Sequence, residues 1–433
     1  MPNLFTLILQ IAVILSASRL LGSLFRKIHQ PRVLGEMFAG ILLGPSLLGW
    51  MAPQFSAYLF PTASMGNLNA LSQLGLIIFM FLVGLGINPQ RLKHEGHAAI
   101  LISHVSITVP FVLACALALY LYPKLSDETV SFAHFALFLG AAMSITAFPV
   151  LARILSERNM LQDRLGTMAI ACAAVDDVTG WCILAYIVTL VRSGHSSLSL
   201  AVTGIVAFAL TMIYGVGYLL RRLEIIYKER RALSDNLLAV ILLLVLVSAL
   251  CTEWLGVHLL FGAFLLGAVM PKDQPFVLYV TERFETITVS LLLPIFFAFT
   301  GLRTSFGLLR GKEMWICCGL IVTVAVIGKL GGTVAAARMG DLSLREAVGL
   351  GALMNTRGLM ELVILNIGLD IHIISPALFS MMVIMALVTT FMTAPLLEWI
   401  CPSNKVVAES KATQPVWTPL TELTLKTPDR SIV

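Results

Sequence analysis

Charged residues are scarce in this chain. Asp, Glu, Lys and Arg make up 12% of its 433 residues, hydrophobic residues make up 58%, and the mean hydropathy is +0.91. Soluble domains contain about 25% charged residues, so the composition excludes a soluble globular protein and indicates a polytopic helical membrane protein. The net charge of +5 arises from basic loops on one side of the membrane, so no nucleic-acid partner is expected.

Cysteines with the spacing of a metal site are also lacking. The seven cysteines lie in or beside apolar segments, at Cys115, Cys172, Cys182, Cys251, Cys317, Cys318 and Cys401. Free cysteine packs as a small hydrophobic residue. We therefore interpret all seven as packing residues and expect no cofactor.

A cleavable signal peptide is not recognisable either. The first apolar run, residues 4–25, has no positively charged stretch before it and no small-residue cleavage site after it. We therefore expect this run to be the first membrane-spanning helix.

Apolar windows long enough to cross a bilayer recur about thirteen times, from residues 4–25 to residues 374–398. This pattern predicts an all-α polytopic membrane protein with about thirteen transmembrane helices in a domain covering residues 1–402. Residues 403–433 are polar, and we expect them to form a short, disordered cytoplasmic tail.

Lys and Arg are distributed unevenly between the loops. If the N-terminus lies outside, the outer loops contain only Lys124, Arg192, Arg303, Arg310 and Lys312, and most other loop lysines and arginines fall on the inner side. Cytoplasmic loops of membrane proteins are enriched in these residues. The sequence therefore predicts a multi-pass protein of the cell (inner) membrane, with its N-terminus outside and its C-terminus in the cytoplasm.

Two adjacent aspartates lie in the middle of the sixth apolar segment, residues 165–190. Asp176 and Asp177 are the only charged residues there. A carboxylate at the bilayer centre costs about 2.5–3.5 kcal/mol, whereas each Leu or Ile recovers only about 0.3–0.6 kcal/mol. Helix stability does not require the pair, so it is a candidate functional site. Facing a water-filled cavity, it can bind a cation, a proton, or each in turn.

Two apolar segments, residues 131–155 and 346–369, carry polar residues near their centres, which predicts that both helices are broken there. Pro149 in the first segment removes a backbone donor, and Gly358 follows the polar run of the second. The segments are seven apart, so they cross the membrane in opposite directions, as in inverted repeats of transporters. The polar residues expected to supply oxygen ligands or to cap open helix ends are Ser144, Thr146, Asn355 and Thr356.

Lys329 lies deep in the eleventh segment, residues 314–339. A lysine at that depth needs a partner, and Asp176 and Asp177 are the candidates. Neighbouring residues on a helix point about 100° apart, so one aspartate can face the lysine while the other faces a cavity. The acid without a strong partner can hold a proton or a metal cation but not both comfortably, which describes antiport.

Arg357 lies in the second break and also needs an acidic partner. Glu361 is four residues further along the chain, a helical neighbour, and Glu36 near the start of the second segment is the other candidate. Glu36 itself is open to two interpretations, as an acid on the ion path or as a structural acid paired with Arg32 or Arg357.

Other functions on these residues are less consistent with the sequence. An intramembrane aspartyl protease needs two acids that share a proton across a gap, but adjacent acids diverge and a deep lysine would disturb the dyad, so we do not expect an enzyme. A channel-like or sensory protein on the same fold is the alternative to an antiporter, and ion-coupled pH change would distinguish them. Carboxylate and hydroxyl oxygens suit Na⁺ and K⁺ alike.

Several long runs resemble one known family. They are GEMFAGILLGPSLLG, FLVGLGIN, AMSITAFPVLARIL, AAVDDVTGW, GVHLLFGAFLLGAVMP, PIFFAFTGLRT, NTRGLMELVILNIGLD and SPALFSMMVIMALVTTFMTAP. The chain resembles the monovalent cation:proton antiporter superfamily, in the branch of bacterial NapA-type antiporters, Kef systems, plant CHX exchangers and fungal KHA exchangers. The runs cover most of residues 33–398.

The resemblance implies an NhaA/NapA-like fold with thirteen helices, two crossed discontinuous helices and a homodimer built from a dimerisation domain and a mobile core domain. The core would lie at about residues 97–190 and 314–398. In that family the second acid of the pair binds the ion, which maps to Asp177, and the first acid pairs with a core lysine, which maps to Asp176 and Lys329. The partners implied are Na⁺ or K⁺, H⁺ and the lipid bilayer, and two acids are associated with electrogenic exchange.

Overall fold

The computed structural model describes residues 4–28, 30–86, 96–127, 130–158, 160, 163–230, 235–255, 258–340 and 342–400. Within these ranges all regular secondary structure is helical. The predicted all-α fold class is confirmed. The predicted tail at residues 403–433 lies outside the described residues.

The helices follow one another with short connections. The first six are α1 (Leu4–Lys27), α2 (Arg32–Leu43), α3 (Leu48–Met51), α4 (Pro53–Leu59), α5 (Thr62–Gly86) and α6 (Gly96–Leu125). The next six are α7 (Phe132–Ser144), α8 (Phe148–Glu157), α9 (Arg164–Leu210), α10 (Gly217–Arg230), α11 (Asp235–Trp254) and α12 (Leu259–Val269). The last seven are α13 (Gln274–Ile287), α14 (Leu293–Leu302), α15 (Lys312–Val326), α16 (Gly332–Met339), α17 (Leu344–Met354), α18 (Leu359–Asp370) and α19 (Pro376–Ile400). Three π-helical stretches join neighbouring helices, at Thr211–Val216, Thr288–Leu292 and Ile327–Gly331.

The number of membrane spans depends on how the short helices are counted. Among the described residues, ten helices are long and apolar enough to cross a membrane, or eleven if the bent pair α17 and α18 forms one span. Helices α7 and α12 are apolar but contain 13 and 11 residues, fewer than the roughly 20 that a bilayer requires. Helix α9 runs from Arg164 to Leu210 without a break, whereas the sequence predicts that the sixth segment ends at residue 190. The count of thirteen stays a prediction.

Both broken segments are interrupted where the sequence predicted. Helix α7 ends at Ser144 and α8 begins at Phe148, so Pro149 occupies the first turn of α8, where a missing backbone N–H costs little. The second break separates α17 from α18, with a bend of 42°. The backbone N–H of Ala147 donates to the carbonyl of Thr356 at 3.0 Å. This bond joins the two breaks, so the discontinuous helices cross at these points.

The helices pack in two groups. We call α1, α2, α5, α12 and α14 the scaffold group, because α1 packs on α2, α2 on α14, α14 on α5 and α5 on α12. We call α6, α7, α9, α16, α17, α18 and α19 the core group, because each packs against others of the group around the two breaks. The closest approach in the scaffold group is between α5 and α12, where a Cβ on Gly84 or Gly267 would lie 2.1 Å from a backbone oxygen of the other helix.

Candidate functional site

Asp176 is fully buried, and both of its carboxylate oxygens are bonded. Oδ1 accepts a hydrogen bond from Ser103 Oγ at 2.5 Å, and Oδ2 accepts from Thr146 Oγ1 at 2.7 Å. Lys329 Nζ lies 2.7 Å from the same Oδ2. The pairing expected of Lys329 is thus made with the first aspartate. These partners occupy Asp176, so its charge is compensated within the core group.

Lys329 is held in the π-helical stretch Ile327–Gly331 and is also fully buried. Besides Asp176, its ammonium donates to Ser106 Oγ at 3.1 Å and to the carbonyl of Ser144 at 2.6 Å. An ammonium has three N–H donors, and all three are used. Single π-helical turns inside α-helices occur often at functional sites. This one carries the buried ammonium of Lys329.

The C-terminal end of α7 is closed by cations. Helices end with four carbonyls that lack intrahelical partners and carry partial negative charge. Here Ala142 O accepts from Arg357 Nη1 at 3.1 Å, and Met143 O accepts from Arg357 Nη2. Ser144 O accepts from the buried ammonium described above, and Ala141 O accepts from Ser144 Oγ at 3.0 Å. All four carbonyls are therefore satisfied, three of them by positively charged groups.

The C-terminal end of α17 at the other break is closed by neutral groups. Thr146 Oγ1 lies 2.9 Å from Met354 O, and Thr393 Oγ1 donates to Ala352 O at 3.3 Å. The Thr146 hydroxyl has one proton, so it donates to Asp176 or to Met354 but not to both at once. The end of α17 consequently keeps more of its partial negative charge than the end of α7.

Arg357 and Glu361 form a second buried ion pair, with both side chains about 1% exposed. Arg357 Nη1 lies 3.4 Å from Glu361 Oε2, and Thr390 holds the Arg357 backbone through bonds of 2.9 and 2.5 Å. Of the two acids considered for this arginine, Glu361 is therefore in contact with it. Glu36 lies on α2, which packs mainly against α1 and α14, and is partly exposed.

Asp177 has an environment quite different from that of its neighbour. It is 1% exposed, and its Oδ1 has no hydrogen-bond partner among the described residues. The side-chain amide of Asn355, in the second break, likewise bonds to no described residue through either atom. Buried polar atoms in proteins are nearly always bonded. Asp177 thus keeps a buried oxygen without a partner among the described residues, whereas both oxygens of Asp176 accept hydrogen bonds.

Four of the charged candidate residues are paired with one another. The described residues contain no group of three or more His, Cys, Asp or Glu side chains placed to hold a metal. The charges at the site are instead two ion pairs, Asp176 with Lys329 and Arg357 with Glu361, beside Asp177, which has no ion-pair partner in the described part of the chain. Asp177 Oδ1 and Glu361 Oε1 each lack a hydrogen-bond partner among the described residues.

The sequence reasoning missed several side chains of this site. Ser103 and Ser106 on α6 contact Asp176 and Lys329, and Thr390 and Thr393 on α19 bind the second break. A signal for the two serines is present in the sequence, because residues three apart share one helix face and α6 is otherwise strongly apolar. Single Ser and Thr residues occur in many of the apolar segments, so this spacing alone does not distinguish Ser103 and Ser106 as site residues.

Comparison with known proteins identifies relatives over almost the whole chain. The model of the transmembrane sodium/hydrogen exchanger family matches residues 12–399. The Na(+)/H(+) antiporter NhaS4 of a Synechocystis strain is 44% identical over 93% of this chain and 98% of the relative. Cation/H(+) antiporter 17 of Arabidopsis thaliana is 40% identical, and K(+)/H(+) antiporter 1 of Saccharomyces cerevisiae is 35% identical. The chain spans about half the length of these last two, 49% and 46%.

A solved structure has the same fold. The sodium proton antiporter MjNhaP1 of Methanocaldococcus jannaschii superposes with a TM-score of 0.66 over 93% of this chain and 100% of that chain, at 15% sequence identity. The resemblance drawn from the sequence motifs is confirmed, and these relatives are transporters rather than enzymes. The chain belongs to the sodium/hydrogen exchanger family.

Proposed function

We propose that this protein is a secondary-active antiporter that exchanges Na⁺ or K⁺ for H⁺, with Asp177 carrying the cation and the proton in turn. The observation that carries the proposal is the contrast within the acid pair. Asp176 is bonded through both oxygens, whereas Asp177 is equally buried and keeps an unbonded oxygen. The names of the relatives, Na(+)/H(+) and K(+)/H(+) antiporters, agree with this chemistry.

The geometry gives each partner of the pair a separate role. A proton and a monovalent cation both neutralise one carboxylate, so binding of one at Asp177 opposes binding of the other. Lys329 neutralises the charge of Asp176, so the cation and the proton compete for Asp177 and not for Asp176. The weakly capped end of α17 adds a partial negative charge at the second break, which favours a cation there.

The test is exchange by Asp177→Asn in proteoliposomes that contain a pH-sensitive dye, with Na⁺, K⁺, Li⁺ and Rb⁺ supplied in turn. We expect the variant to insert and fold but to exchange none of the four. Glu313→Gln is a matched control, because that carboxylate is 62% exposed and should leave exchange unchanged. Normal exchange by Asp177→Asn would reject the assignment, and the wild-type series ranks the cations.

We further propose that the protein works as a homodimer in the cell (inner) membrane, with its N-terminus outside and its C-terminus in the cytoplasm. The excess of basic residues in loops on one side supports the orientation. The separate packing of the scaffold and core groups supports a division into a static and a mobile domain. Labelling of single introduced cysteines from each side of the membrane tests the orientation, and light scattering in detergent tests the dimer.

A further inference from the structure

Trp181 is a buried residue of the acid-pair helix that the exchange scheme leaves unused. Its side chain is 2% exposed, and its indole Nε1–H has no hydrogen-bond partner among the described residues. Its ring lies 6.1 Å from the ring of Phe264 on α12, with an interplanar angle of 31°. A buried indole N–H usually has a partner, so stacking accounts for the ring but not for the donor.

Trp181 shares a helix face with Asp177. The two residues are four apart on α9, and side chains with this spacing are neighbours. On that face a donor, Trp181 Nε1–H, and an acceptor, Asp177 Oδ1, both lack partners among the described residues. Asp176 is turned about 100° away, toward Lys329. Trp181 on this face contacts Phe264 of α12, at the boundary between the core and scaffold groups.

We propose that Trp181 is a positioning residue of the exchange site, whose indole N–H stabilises the ionised Asp177 through an intervening water molecule. A bridging water fits a donor and an acceptor that belong to neighbouring side chains and do not bond each other directly. This inference rests on the proposed function of Asp177. According to this inference, Trp181 contributes to the relative affinity of the Asp177 carboxylate for the cation and for the proton.

The proposal predicts a particular kinetic signature. A donor to the ionised form favours that form, so removing the N–H favours the proton over the cation at a given pH. The cation KM should rise, the maximum rate should change little, and the activity profile should move to higher pH. The charged groups around Asp177 are Asp176 and Lys329, with Arg357 and Glu361 at the second break, and α12 carries no charged side chain. A change at Trp181 leaves all of them in place.

The experiment compares Trp181→Phe with wild type in the proteoliposome assay. Phenylalanine keeps a ring against Phe264 but has no donor. We expect the cation KM to rise roughly five- to tenfold, the net effect of losing one typical hydrogen bond, with a maximum rate within about twofold of wild type. Trp315→Phe is the matched control, because Trp315 is 53% exposed and should change neither value.

Two outcomes overturn the inference. A wild-type KM and pH profile in Trp181→Phe, with loss of activity only in Trp181→Leu, would reduce Trp181 to a packing residue. If Trp181→Phe is thermally unstable, position 181 is filled instead with 3-benzothienylalanine, which has the tryptophan shape without the N–H, and a wild-type KM there also rejects the proposal. Failure of the proposed function is separate, because it would appear as exchange by Asp177→Asn or as no exchange by wild type.

Discussion

Asp176 and Asp177 have the same side chain and neighbouring positions, and the direction of each determines its chemistry. Asp176 points into the core group, where Ser103, Thr146 and Lys329 supply three partners. Asp177 keeps one buried oxygen, Oδ1, with no hydrogen-bond partner among the described residues. A buried carboxylate oxygen without a hydrogen-bond partner is costly. The protein retains such an oxygen one position away from a fully bonded carboxylate, which agrees with the exchange role proposed for Asp177.

The Asp176–Lys329 pair gives a prediction at the residue scale. Removing one partner of a buried ion pair leaves an uncompensated charge and typically costs about 3–5 kcal/mol. Lys329→Met should therefore lower the melting temperature in detergent more than the double change Lys329→Met with Asp176→Asn. Part of the loss should persist in the double variant, because Ser144 O then has no cationic partner. If the stability lost in the double variant equals the sum of the losses in Lys329→Met and Asp176→Asn, the two residues do not stabilise each other.

The sequence identified the chemistry of single residues better than their contacts. It predicted that Lys329 has an acidic partner, because a buried ammonium cannot remain alone, and the structure places Asp176 there. It did not predict that Arg357 would bind the carbonyls of α7, which is distant in the chain. Backbone carbonyls leave no mark in a sequence, so contacts to them cannot be read from residue types.

At the scale of elements, the two half-helix ends are closed by different means. The end of α7 receives an arginine from the second break and a lysine from the π-helical stretch, whereas the end of α17 receives threonine hydroxyls. Hydropathy predicted both breaks because polar residues interrupt apolar runs. The predicted segment at residues 131–155 corresponds to two half-helices, α7 and α8, on either side of the break.

Arg357 gives a prediction for the end of α7. Arg357→Gln removes two bonds to carbonyls and leaves Glu361 buried without its cation, so we expect a loss of several kcal/mol in stability. The double change Arg357→Gln with Glu361→Gln should recover part of that loss. Thermal unfolding of the purified variants is the measurement, with the surface change Arg310→Gln as control. Equal melting of the single and double variants would mean that the carbonyls, not Glu361, account for the effect.

Lys272, in the connection between α12 and α13, joins the ends of two scaffold helices. Its Nζ donates to Gly84 O and Leu85 O at 3.0 Å each and to Gly267 O at 2.9 Å. Burial lowers the pKa of Lys272 to about 7, below the ordinary value of about 10.4. Between these two pH values the unfolded chain binds more protons at this lysine than the folded protein does, so its titration makes folding more favourable as the pH rises.

This titration predicts the behaviour of Lys272→Met. The variant lacks the group, so the stability of wild type relative to the variant should increase from about pH 7 upward and should be constant below pH 7. Thermal unfolding of both proteins at several pH values from 6 to 10 checks the prediction. A difference in stability that does not depend on pH would show that Lys272 titrates in its ordinary range, with its three carbonyl partners offsetting burial.

At the scale of the whole molecule, the scaffold and core groups meet through apolar contacts, such as that of Trp181 with Phe264, and through polar bonds at one end of the bundle. At one end of the bundle, Arg303 after α14 donates to Asn366 Oδ1 at 2.9 Å and to Asp370 Oδ1 at 2.6 Å, both on α18. Ser305 N donates to Ser380 Oγ on α19 at 3.0 Å. Polar bonds of this kind can be exchanged for water when the groups move. The proposed alternating access requires these bonds to break when the site turns from one side of the membrane to the other.

These contacts locate a test of that movement. The changes Arg303→Cys and Asp370→Cys replace this ion pair with two thiols, and a bifunctional methanethiosulfonate that spans the same gap would tie α14 to α18 through two reducible disulfides. We expect the cross-linked protein to lose exchange, to regain it on reduction, and to keep the protection against heat that a bound cation provides. The variant with Arg303→Cys alone, treated with the same reagent, should exchange normally. Because a carrier must move its site and a pore need not, ion flux that continues through the cross-link would favour a channel.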